Sequence, residues 1–208
     1  MKVAVIASLP LREELLAQGL QEGCELQWLD EPAPVEAADA YIDLQFEAVP
    51  ERVAALKALQ PALMLVNAVT LCAEELPEGF IRINGWPGFL KRKIAEVAGR
   101  DETEKDKTEA LLNCFGKQME WVADQPGMVA ARVLCMIINE AYLAFEEGVS
   151  TRDEIDTAML LGTGYPLGPF AWARQIGYDK VAGLLSRMAL LKPGYQPAPL
   201  LLKDAGTA

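Results

Sequence analysis

Apolar positions come first in short runs and later in long periodic stretches. Val3-Ala4-Val5-Ile6-Ala7 is a continuous apolar run of the kind that forms a strand covered on both faces. Ser8 then stands as a helix cap with Pro10 near the start, and Leu11, Leu15, Leu16 and Leu20 recur at helical spacing until Gly23. Glu25–Asp30 predicts a second strand and the alternating Tyr41-Ile-Asp-Leu-Gln-Phe46 a third. A helix over 50–60 and strands over Leu63–Val66 and Phe80–Ile83 follow. Strands alternating with helices predict a mostly parallel open sheet. Only Glu31 to Asp39 separate the second and third strands, too few for a full crossover helix.

From about residue 103 the period becomes helical. Helices are predicted over 103–116 and, after the Asp124-Gln-Pro-Gly127 turn, over 128–147 up to Gly148. The second of these is apolar on most sides and reads as a central core helix, with Asn139 and Glu140 inside it. Thr151-x-x-Glu154 is a capping box that opens the next helix. Gly162, Gly164, Pro166, Gly168 and Pro169 force a tight turn, since glycine suits positive φ or close backbone approach and proline fixes φ. Helices over 170–176 and about 179–190 complete the pattern. The expected fold class is α/β plus all-α: a small, truncated parallel-sheet domain over 1–86, then a helical domain over 87–208. The boundary is set near Trp86-Pro87.

Charge narrows the function. The formal net charge of the 208 residues is −11, and residues 1–86 hold 5 basic and 14 acidic side chains against 14 and 16 in residues 87–208. A nucleic-acid partner requires a basic face, so that class is excluded, as is docking on an anionic membrane. Histidine is absent, which removes Ser-His-Asp triads, histidine-ligated metals and imidazole bases together. Cys24, Cys72, Cys114 and Cys135 lack C-x-x-C spacing, so no metal site is expected. Met1-Lys2 leads straight into a strand without a secretory pattern, and no apolar run reaches membrane-spanning length. The expectation is a reduced, cytoplasmic protein with buried thiols.

The first strand-to-helix turn is where a dinucleotide-binding sheet carries G-x-G-x-x-G. Here Ala7, Leu9 and Arg12 fill the three glycine places, and Pro10 withdraws an N–H donor. Asp30 ends the second strand where a ribose-binding acid belongs, but a lone acid there reads as a solvated surface group. No cofactor is expected.

Asp124-Gln-Pro-Gly-Met128, Asn139-Glu140-Ala141, Glu147-Gly148, the run Asp153 to Phe170, Ile176-Gly-Tyr-Asp179 and Tyr195-Gln-Pro-Ala-Pro-Leu200 form a signature. It resembles the C-terminal domain of the 3-hydroxyacyl-CoA dehydrogenase family over roughly residues 84–203. The resemblance implies a Rossmann-type domain, here reduced, followed by a helical domain that dimerises. It also implies a histidine base with an orienting glutamate twelve positions later. Those positions hold Asn84 and Glu96. The family's substrate-positioning asparagine falls on Ala131, and its serine on Val69 within Asn67-Ala-Val-Thr70.

An amide exchanges no proton near neutral pH, so Asn84 can hydrogen-bond a carbonyl but cannot serve as the base. Glu96 is then either a substitute base or an acid satisfied by its surroundings. Lys91-Arg92-Lys93 is the only dense basic cluster, and meets either an anion such as the phosphates of CoA or only water. The expected function is a non-catalytic binding or scaffold homologue, homodimeric, holding an acyl-CoA-like small ligand around Asn84, Glu96 and Trp86. The alternative is an active NAD-dependent 3-hydroxyacyl-CoA or 3-hydroxybutyryl-CoA dehydrogenase, or an acyl-CoA enzyme of altered chemistry in fatty acid metabolism, using Glu96. A third possibility is a structural subunit that modulates a true dehydrogenase.

Overall fold

The computed structural model describes residues 1–207, which divide into two compact units, one from Met1 to Met128 and one from Val129 onward. In the first unit a seven-stranded sheet has the order β2-β1-β3-β4-β5-β6-β7. Its strands are β1 Lys2–Ile6, β2 Glu25–Leu29, β3 Ala40–Asp43, β4 Leu63–Val66, β5 Phe80–Ile83, β6 Ile94–Ala98 and β7 Gln118–Trp121. β1 pairs in parallel with β2 on one side and β3 on the other, with Val3 level with both Leu26 and Ala40. β4 and β5 continue in parallel, β6 runs antiparallel to β5, and β7 is parallel to β6.

Strand alternation explains why the apolar runs are continuous. Val3, Val5, Ile42 and Leu65 point to one face, where Leu111, Leu112 and Phe115 from α3 (Lys105–Asn113) and the residues after it cover them. Ala4, Ile6, Tyr41, Met64 and Val66 point to the other, packed with Leu56 of α2 (Pro50–Lys57). A strand buried on both faces needs apolar residues at every position.

The sheet does not stop at Trp86-Pro87. β6 and β7 extend it, so the first unit runs to Met128 instead of residue 86. The physical reason is that β6 hydrogen-bonds β5, with the Asn84 N–H donating to the Glu96 carbonyl at 3.0 Å, which makes the two segments one sheet. Elements also end earlier than predicted. α1 spans Leu9–Leu15, passes into a 3-10 turn over Leu16–Gln18, and ends at Gly19 with φ +82°. Ser8 is its N-cap residue without a side-chain cap bond. β3 ends at Asp43 because the carboxylate accepts the Gln45 N–H at 3.0 Å and turns the chain.

Cysteine chemistry also departs from expectation. Cys24 and Cys114 are joined as a disulfide, with Cα atoms 5.8 Å apart. Cys135 is buried and Cys72 is half-buried, both free. The chain brings the bonded pair together across ninety residues, which no local spacing could have announced.

The second unit comprises α4 Ala130–Glu146, α5 Arg152–Thr163, α6 Pro169–Ile176, α7 Tyr178–Leu191 and α8 Pro199–Asp204. The capping box is present: Thr151 Oγ1 accepts the Glu154 N–H and Glu154 Oε2 accepts the Thr151 N–H at 3.2 Å. α4 is not apolar all round. Ala131, Cys135, Ile138, Asn139 and Tyr142 are buried, whereas Val133 is 54% exposed, so the helix is amphipathic.

Asn139 explains one unusual polar residue. Its carboxamide donates to the Gln196 carbonyl at 2.9 Å and accepts the Ala198 N–H at 2.7 Å, fastening the approach to α8. Asp156 accepts the N–H groups of Phe170 and Ala171 at 2.8 and 3.0 Å, satisfying the first turn of α6. A Cβ on Gly168 would stand 2.4 Å from Asp156 Cγ, so only glycine fits there. Arg152 closes the bundle, ion-paired to Asp204 at 2.8 Å with its guanidinium over the rings of Tyr142, Phe145 and Phe170.

Candidate functional site

In an open parallel sheet the chain's reversal point creates a crevice at the carboxyl ends of the strands. Here that point lies between β1 and β3, and a crevice of about 320 Å³ is lined by Ala7, Ser8, Leu9, Arg12, Asp30 and Gln45. Arg12 dominates it. Its Nε donates to the Ala7 carbonyl at 2.8 Å, its Nη2 pairs with Asp30 at 3.2 Å, and its guanidinium lies 5.0 Å from the centre of the Trp28 ring. Leu9 is 73% exposed at the first helical position and Pro10 follows it, so the start of α1 offers a bulky side chain and one missing N–H. Asp30, singled out as the ribose-acid position, is thus the exposed partner of Arg12.

Beside the crevice, Asp43 is wholly buried at the end of β3. Arg52 grips it through Nε–Oδ2 at 2.7 Å and Nη2–Oδ1 at 2.9 Å, and reaches Glu31 with Nη1 at 2.9 Å. Burial pushes the Asp43 carboxyl above its ordinary value, with the Arg52 hydrogen bonds and charge acting against that shift. The Asp43 bond is also the main reason the Arg52 guanidinium is held above its usual value.

At the carboxyl end of β5, Asn84 is 4% exposed and donates from Nδ2 to Glu96 Oε2 at 3.4 Å. Its Oδ1 is buried without a hydrogen-bond partner among the described residues. Asn67 knits the neighbouring strand ends, donating to the Leu44 carbonyl at 3.1 Å and accepting the Gly85 N–H at 3.0 Å. A Cβ on Gly85 would lie 2.8 Å from Asn67 Cγ, so glycine permits that closeness. Val69, at the expected serine place, is buried and its carbonyl accepts the Gly127 N–H at 2.8 Å.

Trp86 is buried, 4% exposed, while Lys91, Arg92 and Lys93 are all exposed on the β5–β6 connection. Lys117 supports that connection from inside. It is 1% exposed and donates to the Leu90 carbonyl and, at 3.1 Å, to the Arg92 carbonyl. Burial lowers its ammonium to about 8, opposed by the charge of Glu14. Glu14 in turn accepts the Gly88 N–H at 2.8 Å. Ala131 lies in the second unit, 0% exposed on α4.

The structure therefore brings Asn84 and Glu96 together and sets Asp30 against Arg12. Sequence reading missed the roles of Arg12, Asp43, Arg82 and Lys117. Arg82 carried a signal, a charge inside the apolar run Phe80-Ile-Arg-Ile83. It is fully buried, ion-paired to Asp124 at 2.9 Å and bonded to the Leu71 and Gln125 carbonyls. Burial depresses its guanidinium below the usual value, with Asp124 the first of the charges opposing the shift. Among the described residues no cluster of His, Cys, Asp and Glu could hold a metal ion, and no helix is long and apolar enough to cross a membrane.

A mostly parallel α/β unit is thus followed by a helical unit. Residues 127–205 match the family described as 3-hydroxyacyl-CoA dehydrogenase, C-terminal domain. The helical unit thus carries the C-terminal domain of the 3-hydroxyacyl-CoA dehydrogenase family. The chain is 39% identical over 114 residues to the 3-hydroxyadipyl-CoA dehydrogenase of Escherichia coli (strain K12), covering 54% of this chain and 24% of that protein. It is 34% identical over 139 residues to a 3-hydroxybutyryl-CoA dehydrogenase of Bradyrhizobium diazoefficiens, covering 63% of this chain and 46% of that one. The chain thus spans less than half the length of these relatives. The (S)-3-hydroxybutyryl-CoA dehydrogenase of Ralstonia eutropha superposes with a TM-score of 0.75 over 97% of this chain and 92% of its own, at 21% identity, a likeness of fold.

Proposed function

We propose that this chain is a non-catalytic member of its family, a binding or scaffold protein of the cytoplasm that dimerises through its helical unit. The observation that carries this reading is Arg12. A dinucleotide pyrophosphate needs backbone N–H groups that it can approach closely. In the switch-point crevice Arg12 is committed to the Ala7 carbonyl and Asp30, Pro10 lacks its donor and Leu9 stands in the approach. These residues do not fit NAD. The loss of the base at Asn84 points the same way, since general acid–base catalysis is worth about 10²–10⁴-fold.

Exposed Leu161, Leu190 and Leu191 on the helical unit, at 84%, 88% and 65%, support a second copy as its partner. The net charge of −11 argues against nucleic acid or an anionic membrane. Exposed Lys91, Arg92 and Lys93 are the groups on which phosphates of an acyl-CoA-like ligand would rest.

Thermal melting tests the central point. NAD or NADH at 1 mM, on the order of a hundred dissociation constants for a typical cofactor site, would add about 2.7 kcal/mol if bound. No change in Tm is expected. Light scattering is expected to give twice the 22.7 kDa chain mass, and a strict monomer at high concentration would count against the dimer. One observation favours the active-enzyme reading, the Glu96 carboxylate next to Asn84. NADH-dependent turnover of acetoacetyl-CoA that disappears in Glu96→Gln would establish that reading and end the non-catalytic one.

A further inference from the structure

β2 is an edge strand whose five residues pair only with β1, and an edge strand with a single neighbour is a weak point in a sheet. Each end of β2 carries one further tie. At the carboxyl end, Asp30 and Trp28 meet the Arg12 guanidinium. At the amino end, Cys24 is bonded to Cys114, the residue that closes α3. The Gln21 N–H donates to the Cys114 carbonyl at 2.8 Å, so backbone and sulfur fasten the same two segments.

The disulfide is open to attack from one side. It borders a surface depression of about 470 Å³, in which Cys24 is half-buried and Cys114 is 3% exposed. Gln21, Glu22 and Asn113 frame the same depression. The Cα separation of 5.8 Å falls in the ordinary range for bridged cysteines, so the sulfurs can close and reopen without displacing either backbone.

We infer that Cys24–Cys114 is a reversible thiol–disulfide exchange site that clamps β2, and that its reduction by a dithiol loosens the strand and the Arg12–Asp30 crevice at its far end. In the exchange, a thiolate of the dithiol attacks Sγ of Cys24, the less buried of the two cysteines. A mixed disulfide forms, and the Cys114 sulfur leaves and takes up a proton. The second thiol of the reductant then attacks its own bonded sulfur, releasing Cys24 as a thiol. The protein gains two electrons and two protons, and the dithiol is oxidised to its disulfide. With the bridge open, β2 keeps its register with β1 but loses its covalent anchor, so opening of the strand becomes a local event.

Hydrogen exchange on the full chain tests this, comparing protein oxidised with oxidised dithiothreitol and protein reduced with dithiothreitol. Peptides covering 25–30 are expected to exchange roughly tenfold faster in the reduced form, while peptides over 63–66 stay unchanged. Thiol titration of the denatured, oxidised chain is expected to find two free thiols, Cys72 and Cys135. Cys24→Ser/Cys114→Ser should exchange like the reduced protein in either buffer, and Cys72→Ser/Cys135→Ser should keep the response. If the first double variant folds poorly, reduced wild-type protein supplies the same reading. Four free thiols after oxidation, equal exchange over 25–30 in both redox states, or a response surviving in Cys24→Ser/Cys114→Ser would each overturn the inference.

Discussion

Asn84 turns its amide nitrogen to the Glu96 carboxylate at 3.4 Å and leaves its amide oxygen buried without a partner among the described residues. A bond of that length is weak, and an unsatisfied buried acceptor is itself a cost of about 1–3 kcal/mol. Asn84→Ala removes both together. Its unfolding free energy in urea should therefore fall by less than about 1 kcal/mol. A loss above about 2 kcal/mol would show that the amide oxygen is engaged.

Two arginines of the first unit should behave oppositely. Arg82 is fully buried between Asp124 and the Leu71 and Gln125 carbonyls. Arg82→Met strands that carboxylate, and breaking a buried pair from one side costs about 3–5 kcal/mol. Arg12 pairs with the fully exposed Asp30 side chain, and such surface pairs contribute about 0–1 kcal/mol. Thermal melts should show a drop of about 10 °C for Arg82→Met and little for Arg12→Met. Similar losses for both would mean that Arg82 is not the buried brace described.

Glycines of the helical signature separate in the same way. Gly168→Ala drives a methyl to within 2.4 Å of Asp156 Cγ, disrupting the cap of α6. A loss of about 2 kcal/mol or more is expected. Gly162 lies inside α5 with open space where a Cβ would go. Gly162→Ala should stabilise by about 0.5–1 kcal/mol. Chemical denaturation of the two variants side by side checks both signs.

Lys117 sets a pH dependence. Burial holds its ammonium at about 8, below the 10.5 of a free lysine. Below pH 8 the lysine is protonated in both the native and unfolded chains and contributes no slope. Between about 8 and 10.5 the unfolded chain binds a proton that the native chain lacks, so unfolding free energy rises with pH. Denaturation curves across this window should rise more steeply for the wild type than for Lys117→Met. Equal slopes would rule out a titrating Lys117.

Legibility in the sequence followed burial. β4 and β5 match the bounds expected for them because Leu63–Val66 and Phe80–Ile83 are covered on both faces, which leaves an uninterrupted apolar run. β7 went unseen: its four residues alternate exposed and half-buried, Gln118-Met-Glu-Trp121, at the sheet's other edge. α8 was missed because six residues are too few for a helical period to register, and its place is fixed by Asn139 and Asp204 instead. The Asn84–Glu96 neighbourhood was readable through the family resemblance. Arg12–Asp30 and Cys24–Cys114 were not, since each joins residues that only the tertiary fold brings together. Asp43–Arg52 was not either, since it depends on how α2 packs back on the end of β3.

The position of β2 has one more consequence, for how far such a sheet can shrink. Glu25, Gln27 and the partly solvated Leu26 and Trp28 tolerate standing outermost. The next strand inward does not: Val3, Ala4, Val5 and Ile6 are each at most 1% accessible to water. Deleting β2 would lay that wholly oily ribbon bare and invite edge-to-edge aggregation, so on this flank the fold stands at its minimum width.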